Sequence, residues 1–507
     1  MQRPQKLFRT FRGALCLALA LLAFDASSRP NILFIFSDDH AVNAIGAYGS
    51  RINRTPNIDR LADEGVILLN NMCGNSICGP SRATILTGLH SHANGFIRNG
   101  NEFNGAQRTF TKLLQQGGYE TALIGKWHLK SDPTGFDHWD ILPGQGSYYN
   151  PTFISAKGRR QTFGYNTDIV TDLSIRWLQE ERDSKKPFLL MCQFKAPHRN
   201  WMANLKHLNK YDGEHIPEPD SLFDDFEGRT SSITKNSMMI GRHMRLVADL
   251  QLDRPDPNNE WDVRTASRRG LSPEQNRQWD AAFAPENAAF YAANLEGDDL
   301  VRWKYQRYIK NYLRCIASVD ENVGRILDYL DWAGLAENTL VIYSSDQGFY
   351  LGEHGFFDKR WMYEESLRMP FVARWPGAIP AGGKVSEITQ NIDFAPTFLE
   401  AAGVTPPEDM HGRSALSLLR GGHIPDWRES IYYHYYEKGG HGVARHEGVR
   451  TNRYKLIHFY DVDEWEFYDL EQDPNEMLSR YGDPQYAAWV ERLRAELGRL
   501  KSAYAVP

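Results

Sequence analysis

Short apolar runs rich in β-forming residues alternate with helical stretches along most of the chain. This alternation predicts an α/β fold with a large mixed sheet, mostly parallel, flanked by helices. Near residue 422 the pattern changes, because "WRESIYYHYY" and "VRTNRYKLIHFY" alternate like antiparallel strands and a helical segment follows. We therefore expect a main domain over residues 29–422 and a smaller, C-terminal antiparallel-sheet subdomain over residues 423–507.

Four of the apolar runs end directly in ionisable or ligating side chains. NILFIFS precedes Asp38, Asp39 and His40, TALIG precedes Lys126 and His128, PFLLMCQF precedes Lys195 and His198, and NTLVIYSS precedes Asp346 and Gln347. Ligands of open α/β sheets bind outside the carboxyl ends of the strands, so these ends predict one shared site. A single Asp-Asp pair could instead cap a helix, but four such ends are difficult to explain in that way.

The oxygen donors at two of these ends favour a hard divalent cation. Asp38, Asp39, Asp346 and Gln347 offer only carboxylate and amide oxygens, which suit Ca²⁺ or Mg²⁺ better than zinc or copper. The adjacent carboxylates of Asp38 and Asp39 would repel each other if they were buried without a cation. We predict one metal ion at this position, Ca²⁺ or Mg²⁺.

Basic side chains are expected around the same site. They are Arg82, Lys126 and Lys359, together with His128 and His198. Each alone could be an ordinary solvated residue, but beside a divalent ion they predict a pocket for a compact, highly charged oxyanion. The attraction has to be local, because a formal net charge of -6 gives the chain no general affinity for nucleic acid.

The first 28 residues have the composition of a secretory signal. "MQRPQKLFRTFRG" is basic, "ALCLALALLAF" is apolar but short for a membrane span, and "DASS" supplies small residues. We expect cleavage and export to the periplasm or the medium, with no membrane anchor afterwards; the alternative is a buried first helix. Four cysteines would then remain, too few for a disulfide framework.

Cys78 lies in "SICGPSRATILTG", where Pro80 and the following run predict a helix that begins near the cysteine. A thiolate nucleophile would find a cation in Arg82, but sulfur is a poor partner for Ca²⁺ or Mg²⁺. An inert buried cysteine would not need Pro80 and Arg82 beside it. A disulfide with Cys73 is a further alternative, and the residues alone do not decide between these readings.

The pentapeptide CGPSR, continued by ATILTG, resembles the signature of type I sulfatases. Further motifs follow in that family's order, namely DDH, GKWHL, APH, SSDQG, LGEHGFFDKR and YKLI…EFYDLEQDP. The resemblance implies an alkaline-phosphatase-like fold and a cysteine that a maturation enzyme oxidises to Cα-formylglycine. The stretch "DQGFYLGEHGFFDKRWMYEESLRMPF" is similar to bacterial carbohydrate sulfatases of the N-acetylglucosamine-6-sulfatase and algal-polysaccharide types.

The resemblance also implies a role for each candidate residue in the hydrolysis of a sulfuric ester. A formylglycine hydrate made from Cys78 would bind Ca²⁺ together with Asp38, Asp39, Asp346 and Gln347, and would attack sulfur with Asp346 as proton acceptor. Arg82 and Lys126 would hold the hydrate and the sulfate, His198 and Lys359 would assist the leaving sugar oxygen, and His128 would release the sulfate. Gln347 departs from the Asn or His of many relatives, although its carbonyl oxygen can still ligate calcium.

Two features bear on the substrate, for which we expect a sulfated saccharide. Asp358 and Arg360 flank Lys359 and suit sugar hydroxyl groups, unless they form a salt bridge with each other. Residues 201–300 read as an insertion of loops and short helices that lines the pocket, or as a surface excursion. The rival functions are a phosphoesterase or phosphonate monoester hydrolase of the same superfamily, and a non-catalytic protein that binds sulfated glycans.

Overall fold

The computed structural model describes residues 29–256, 262 and 270–507. The predicted signal over residues 1–28 therefore lies outside the described residues, as does part of the predicted insertion. Within the described ranges, no helix is both long and apolar enough to cross a membrane.

A ten-stranded mixed sheet forms the centre of the main domain, with the strand order β12-β2-β11-β8-β1-β7-β3-β4-β5-β6. Its strands are β1 (Asn31–Ser37), β2 (Val66–Met72), β3 (Glu120–Lys126), β4 (His138–Leu142), β5 (Thr152–Ser155), β6 (Gly158–Gln161), β7 (Phe188–Gln193), β8 (Thr339–Ser345), β11 (Phe371–Arg374) and β12 (Gly383–Gln390). A short hairpin of β9 (Tyr350–Leu351) and β10 (Phe357–Asp358) lies apart from this sheet.

The four apolar runs with polar ends form neighbouring parallel strands, in the order β8-β1-β7-β3. Nearly every residue of these strands is buried, which explains why the runs are continuously apolar rather than alternating. Among the described strands of this sheet, antiparallel pairs occur only on either side of the central parallel strands, where β11 lies between β8 and β2 and where β5 pairs with β4 and β6. The predicted large, mostly parallel sheet is confirmed.

Helices cover both faces of the sheet, and each face has its own extended apolar cluster. The helices are Pro56–Asp63, Cys78–Thr87, Ser91–Asn94, Phe110–Gln116, Asn166–Arg176, Ile240–His243, Pro273–Ala293, Gly297–Trp332, Glu364–Leu367, Phe394–Ala401, Leu416–Leu419 and Ala487–Ala503. Gly297–Trp332 packs against Pro56–Asp63, and its Asp320 carboxylate accepts hydrogen bonds from the backbone N–H groups of Asn57 at 3.0 Å and Ile58 at 2.9 Å. This carboxylate thereby satisfies donors in the first turn of the shorter helix.

The C-terminal part of the chain forms a four-stranded antiparallel sheet against the last helix. Its strands are β13 (Ser430–Tyr435), β14 (His446–Thr451), β15 (Tyr454–Phe459) and β16 (Glu464–Asp469). A separate apolar cluster fills the space between this sheet and Ala487–Ala503. The predicted antiparallel subdomain is therefore present, while the boundary at residue 422 remains a prediction.

The described part of residues 201–300 consists of loops, single helical turns and one long helix. The prediction of only short helices is wrong for Pro273–Ala293, which has 21 residues. A capping box at Ser272 and Gln275 begins this helix, a signal that was readable in the sequence.

Candidate active site at the carboxyl ends of the central strands

The polar ends of β1, β3 and β8 meet at one edge of the sheet, as the sequence predicts. The backbone N–H of Asp39 donates to Asp346 Oδ1 at 3.0 Å, which joins the ends of β1 and β8. The Lys126 ammonium, at the end of β3, pairs with the Asp38 carboxylate. All four side chains are fully buried, so these charges interact with little screening by water.

Arg82 reaches this edge from the buried helix Cys78–Thr87. Its Nε and Nη2 lie 3.2 and 3.0 Å from Asp346 Oδ2, and its Nη1 lies 2.6 Å from Gln193 Oε1. The sequence analysis did not select Gln193. The signal was nevertheless present, since this amide occupies the last position of β7 as polar residues do on the neighbouring strands.

Cys78 is the first residue of its helix and is 1% exposed, at the wall of a cavity. Burial raises the pKa of its thiol, although Lys359 opposes the effect, so the thiolate form is disfavoured. The neighbouring Gly79 has no room for a side chain, because a Cβ would lie 2.5 Å from the Phe96 ring. The described chain contains Cys73 as a free thiol, which excludes the disulfide alternative in this structure.

Lys359 and His198 lie on the cavity side of Asp39. Lys359 Nζ is 2.6 and 2.7 Å from the two carboxylate oxygens of Asp39, and His198 Nε2 is 3.7 Å from Asp39 Oδ2. Burial holds the pKa of His198 well below its ordinary value, and the nearby Lys126 adds to this effect. Its imidazole is accordingly neutral in this arrangement.

His128 follows β3 and is partly buried. Burial and the Lys126 ammonium hold the pKa of its imidazole well below the ordinary value. Its buried Nδ1 has no hydrogen-bond partner among the described residues. The side chain is therefore a neutral imidazole with one unused nitrogen near the cationic groups.

The acidic residues fit a divalent cation. Asp38, Asp39, Cys78 and His198 place potential ligand atoms within 4.8 Å of one another. Within the described chain, the buried Asp38 Oδ1 and Gln347 Oε1 have no hydrogen-bond partner, and burial raises the pKa of Asp39 to about 7 even though Lys359 opposes it. Unpaired buried oxygens and a desolvated carboxylate are what a bound hard cation would stabilise.

Asp346 differs from the predicted ligands Asp38, Asp39 and Cys78, because it lies outside this cluster of four. Its Oδ2 is occupied by Arg82 and its Oδ1 by the backbone of Asp39. Burial favours the neutral acid, but Arg82, followed by Lys126 and Lys359, holds the pKa of Asp346 below its ordinary value. It is therefore an ionised carboxylate.

The active-site cavity lies in front of these groups and has a volume of about 520 Å³. Its lining includes Cys78, Asn99, Gln145, Tyr148, Lys195, His198, Arg199, Asn200, Met202, Arg245, Gly270, Asp358, Lys359, Arg360 and His441. Arg360 forms a salt bridge with Asp358, as the alternative reading of these two residues expected. Both residues nevertheless face the cavity, so the salt bridge itself is part of its wall.

Two distant parts of the chain contribute to this wall. Met202, Arg245 and Gly270 belong to the predicted insertion, and His441 lies between β13 and β14. The insertion therefore reaches the cavity in this structure rather than forming only a surface excursion. Neither Arg245 nor His441 carried a sequence signal, since their positions depend on how distant segments pack.

Comparison with known proteins identifies the chain. The sulfatase family profile matches residues 30–404, which is most of the sequence. The protein is a member of the sulfatase family. A second profile, the C-terminal region of N-sulphoglucosamine sulphohydrolase, matches residues 352–503.

Individual relatives agree with this assignment. This sulfatase is 46% identical over 502 residues to an N-acetylglucosamine-6-O-sulfatase from Bacteroides thetaiotaomicron, covering 95% of this chain and 88% of the relative. A solved structure of a protein with its substrate D-glucosamine-2-N,6-O-disulfate matches with a TM-score of 0.90 and 47% identity, covering 94% and 98% of the two chains. A phosphonate monoester hydrolase of Agrobacterium radiobacter shares the fold, with a TM-score of 0.65, 21% identity and coverage of 94% and 96%.

Proposed function

We propose that this sulfatase hydrolyses the 6-O-sulfate ester of a glucosamine unit, either free or at the end of a sulfated saccharide. The similarity to an N-acetylglucosamine-6-O-sulfatase over 95% of the chain carries the proposal. The Asp358–Arg360 pair beside Lys359 supports it, because a carboxylate and a guanidinium together bind vicinal sugar hydroxyl groups.

Cys78 is the residue proposed to be oxidised to formylglycine by a maturation enzyme, and the hydrate of that aldehyde supplies an oxygen nucleophile. Asp38, Asp39, Asp346 and Gln347 are the proposed ligands of one Ca²⁺, which supplies positive charge for the sulfate. The support is the buried, partly unpaired oxygen set and the position of Cys78 at a helix N-terminus facing the cavity. The raised pKa of the thiol argues against direct attack by sulfur.

The remaining proposed roles follow from charge and position. Lys359 and His198 line the cavity beside Asp39, where Lys359 is placed to donate to the leaving sugar oxygen. His198 would donate from Nε2 only in its protonated form, because its Nδ1 already donates to the Arg199 carbonyl oxygen. Arg82 and Lys126 lie behind them and bind the negative charge of the nucleophile and the sulfate.

Two groups are proposed to move protons near the nucleophile. Asp346 is the proposed acceptor of the nucleophile's proton, and its cationic neighbours, which lower its pKa, keep it in the ionised form that can accept one. His128 has a free ring nitrogen and accepts a second proton when sulfate departs.

A desulfation assay tests the proposal. The protein is coexpressed with a formylglycine-generating enzyme, the Cys78 peptide is checked by mass spectrometry, and N-acetylglucosamine 6-sulfate is compared with 4-nitrophenyl phosphate. We expect release of sulfate from the sugar and at most slow hydrolysis of the phosphate ester. Cys78→Ala abolishes this activity, whereas Cys192→Ala, a change at another buried cysteine, retains it.

The assay also has outcomes that contradict the proposal. A strong preference for the phosphate ester would identify a phosphoesterase of the same fold. Binding without turnover on a panel of sulfated sugars, by protein with the aldehyde in place, would identify a glycan-binding protein. Full activity in Cys78→Ala would exclude the formylglycine mechanism.

Export of the protein is also proposed, because the first 28 residues have the composition of a cleaved signal. Sequencing the N-terminus of the mature protein from the periplasm of a bacterial host tests this. We expect a new N-terminus near residues 24 to 28. An intact N-terminus on protein retained in the cytoplasm would contradict it.

A further inference from the structure

Asp249, a residue of the predicted insertion, lies behind the cavity wall and has no exposed surface. Its carboxylate accepts hydrogen bonds from Arg199 Nε and Nη2 at 2.8 and 2.7 Å, and from Asn200 Nδ2 at 2.5 Å. It also accepts from the backbone N–H of Arg245 at 2.9 Å. All three donor residues line the active-site cavity, so one buried carboxylate organises a continuous part of its wall.

The two guanidinium groups share this carboxylate. Arg245 Nε and Nη2 lie 3.3 and 3.4 Å from the oxygens of Asp249, and Arg245 forms no other ion pair within the described part of the chain. The next carboxylate to Arg199 is Asp358 at 4.0 Å, which already pairs with Arg360. The two positive charges of Arg199 and Arg245 are therefore balanced by the single negative charge of Asp249, and this part of the wall carries excess positive charge.

Both arginines line the cavity and retain hydrogen-bonding capacity at Nη1, although Arg199 Nη1 also lies 4.0 Å from Asp358 Oδ2. Arg199 and Arg245 engage Asp249 through Nε and Nη2, and their Nη1 groups make no hydrogen bond within the described chain. Arg199 is further fixed by the ring of Phe357, whose centroid is 4.7 Å from the guanidinium carbon. Guanidinium groups held in this way lose little entropy when they bind a planar or tetrahedral oxyanion.

We propose that Arg199 and Arg245 form a second anion subsite for a sulfate or carboxylate group carried elsewhere on the substrate, and that Asp249 positions them. This inference rests on the proposed function, since it assumes that a sulfated sugar occupies the cavity. It adds a preference, within the proposed substrate class, for saccharides that carry a second anionic group. The subsite is distinct from the Asp358–Arg360 pair, which is internally neutralised.

Steady-state kinetics on two substrates tests the subsite. Wild type, Arg199→Gln and Arg245→Gln are assayed on N-acetylglucosamine 6-sulfate and on glucosamine-2-N,6-O-disulfate. We expect each substitution to lower kcat/KM for the disulfate by about 10-fold, chiefly through KM, and to leave the monosulfate within about twofold. Arg245→Lys should retain part of the preference for the disulfate over the monosulfate, because lysine keeps the positive charge but lacks the planar guanidinium group.

A third substrate, a 6-O-sulfated disaccharide that contains a uronic acid, shows whether the second subsite binds a carboxylate or a second sulfate group. Asp249→Asn should resemble the arginine variants, since it loosens both guanidinium groups. The matched control is Arg302→Gln, at a residue outside the cavity wall that pairs with Glu218 at 3.4 Å. This control substitution should leave kcat/KM unchanged for both substrates.

The outcomes separate failure of this inference from failure of the proposed function. If wild type turns over neither sugar sulfate, the proposed function fails. If wild type is active and the arginine variants lose the same factor on mono- and dianionic substrates, the second subsite is excluded and the two arginines serve structure alone. Should Asp249→Asn not fold, the Arg245→Gln comparison still decides the question.

Discussion

Arg82 and Asp346 form a buried ion pair, with Arg82 Nε and Nη2 at 3.2 and 3.0 Å from Asp346 Oδ2. The pair joins the helix that begins at Cys78 to the carboxyl end of β8. Arg82 also bonds to Gln193 and to the backbone of Lys126, so a single guanidinium touches the ends of three strands. The orientation of Cys78 relative to the acidic cluster therefore depends on this one side chain.

Replacement of Arg82 by lysine keeps the charge but removes the planar fork. We expect kcat on a sulfated sugar to fall by about 100-fold, because a small displacement of reacting groups has effects of that size. The melting temperature should also fall, since Gln193 and Asp346 lose partners in a buried site. Arg108→Lys, at an exposed ion pair with Asp409, is the control. Activity of Arg82→Lys within twofold of wild type would contradict this role.

Removal of divalent ions should abolish sulfatase activity and lower the melting temperature, and Ca²⁺ should restore both. Because Gln347 Oε1 is buried without a partner in the described structure, Gln347→Ala should raise the Ca²⁺ concentration needed for half-maximal stabilisation by about 10-fold. Gln278→Ala, on an exposed helix face, should leave the titration unchanged. Identical Ca²⁺ titrations for Gln347→Ala and wild type would remove Gln347 from the ligand set.

The salt-bridged side chains of Asp358 and Arg360 should bind the sugar ring of the substrate and not its sulfate group. Asp358→Asn leaves Arg360 without its carboxylate partner in the cavity wall. We expect KM for N-acetylglucosamine 6-sulfate to rise by about 10-fold, while hydrolysis of 4-nitrophenyl sulfate, which lacks sugar hydroxyls, changes little. An equal loss on both substrates would indicate that the pair supports the catalytic centre instead.

Glu447 connects the C-terminal sheet to the last helix, since its Oε1 lies 2.6 Å from Lys501 Nζ. Burial alone would raise the pKa of Glu447, but His458, whose Nδ1 is 3.9 Å from Oε1, and the hydrogen bond from Lys501 lower it from 4.5 to about 2. A folded-state pKa below the unfolded value stabilises the fold above pH 4.5, and this stabilisation is lost as the pH falls toward 2.

Glu447→Gln should therefore lower the free energy of unfolding at pH 7 by about 1–3 kcal/mol. The difference from wild type should shrink as the pH falls below 4.5, as measured by urea unfolding at a series of pH values. Glu491→Gln, at an exposed position of the same helix, provides the comparison. A difference that stays constant with pH would show that Glu447 acts through packing and not through its charge.

Much of the fold and the centre of the site could be predicted from local patterns. The runs that became β1, β3, β7 and β8 were recognisable because both faces of a central parallel strand are buried. Their polar ends had to converge, because parallel neighbours place their carboxyl ends at one edge. The pattern did not predict the long helix Pro273–Ala293 within the insertion, since Pro285 inside it is a residue that normally ends a helix.

The sequence by itself determined the sheet, the shared edge and the residue types that a hard cation and an oxyanion require. Tertiary structure alone decided which further distant side chains complete the cavity and support its wall, namely Arg199, Arg245, Asp249 and His441. It also decided that Asp358 and Arg360 pair with each other while still facing the cavity. The physical reason is that strand ends are specified by nearby apolar residues, whereas contacts between segments 50 or more residues apart depend on how the whole chain packs.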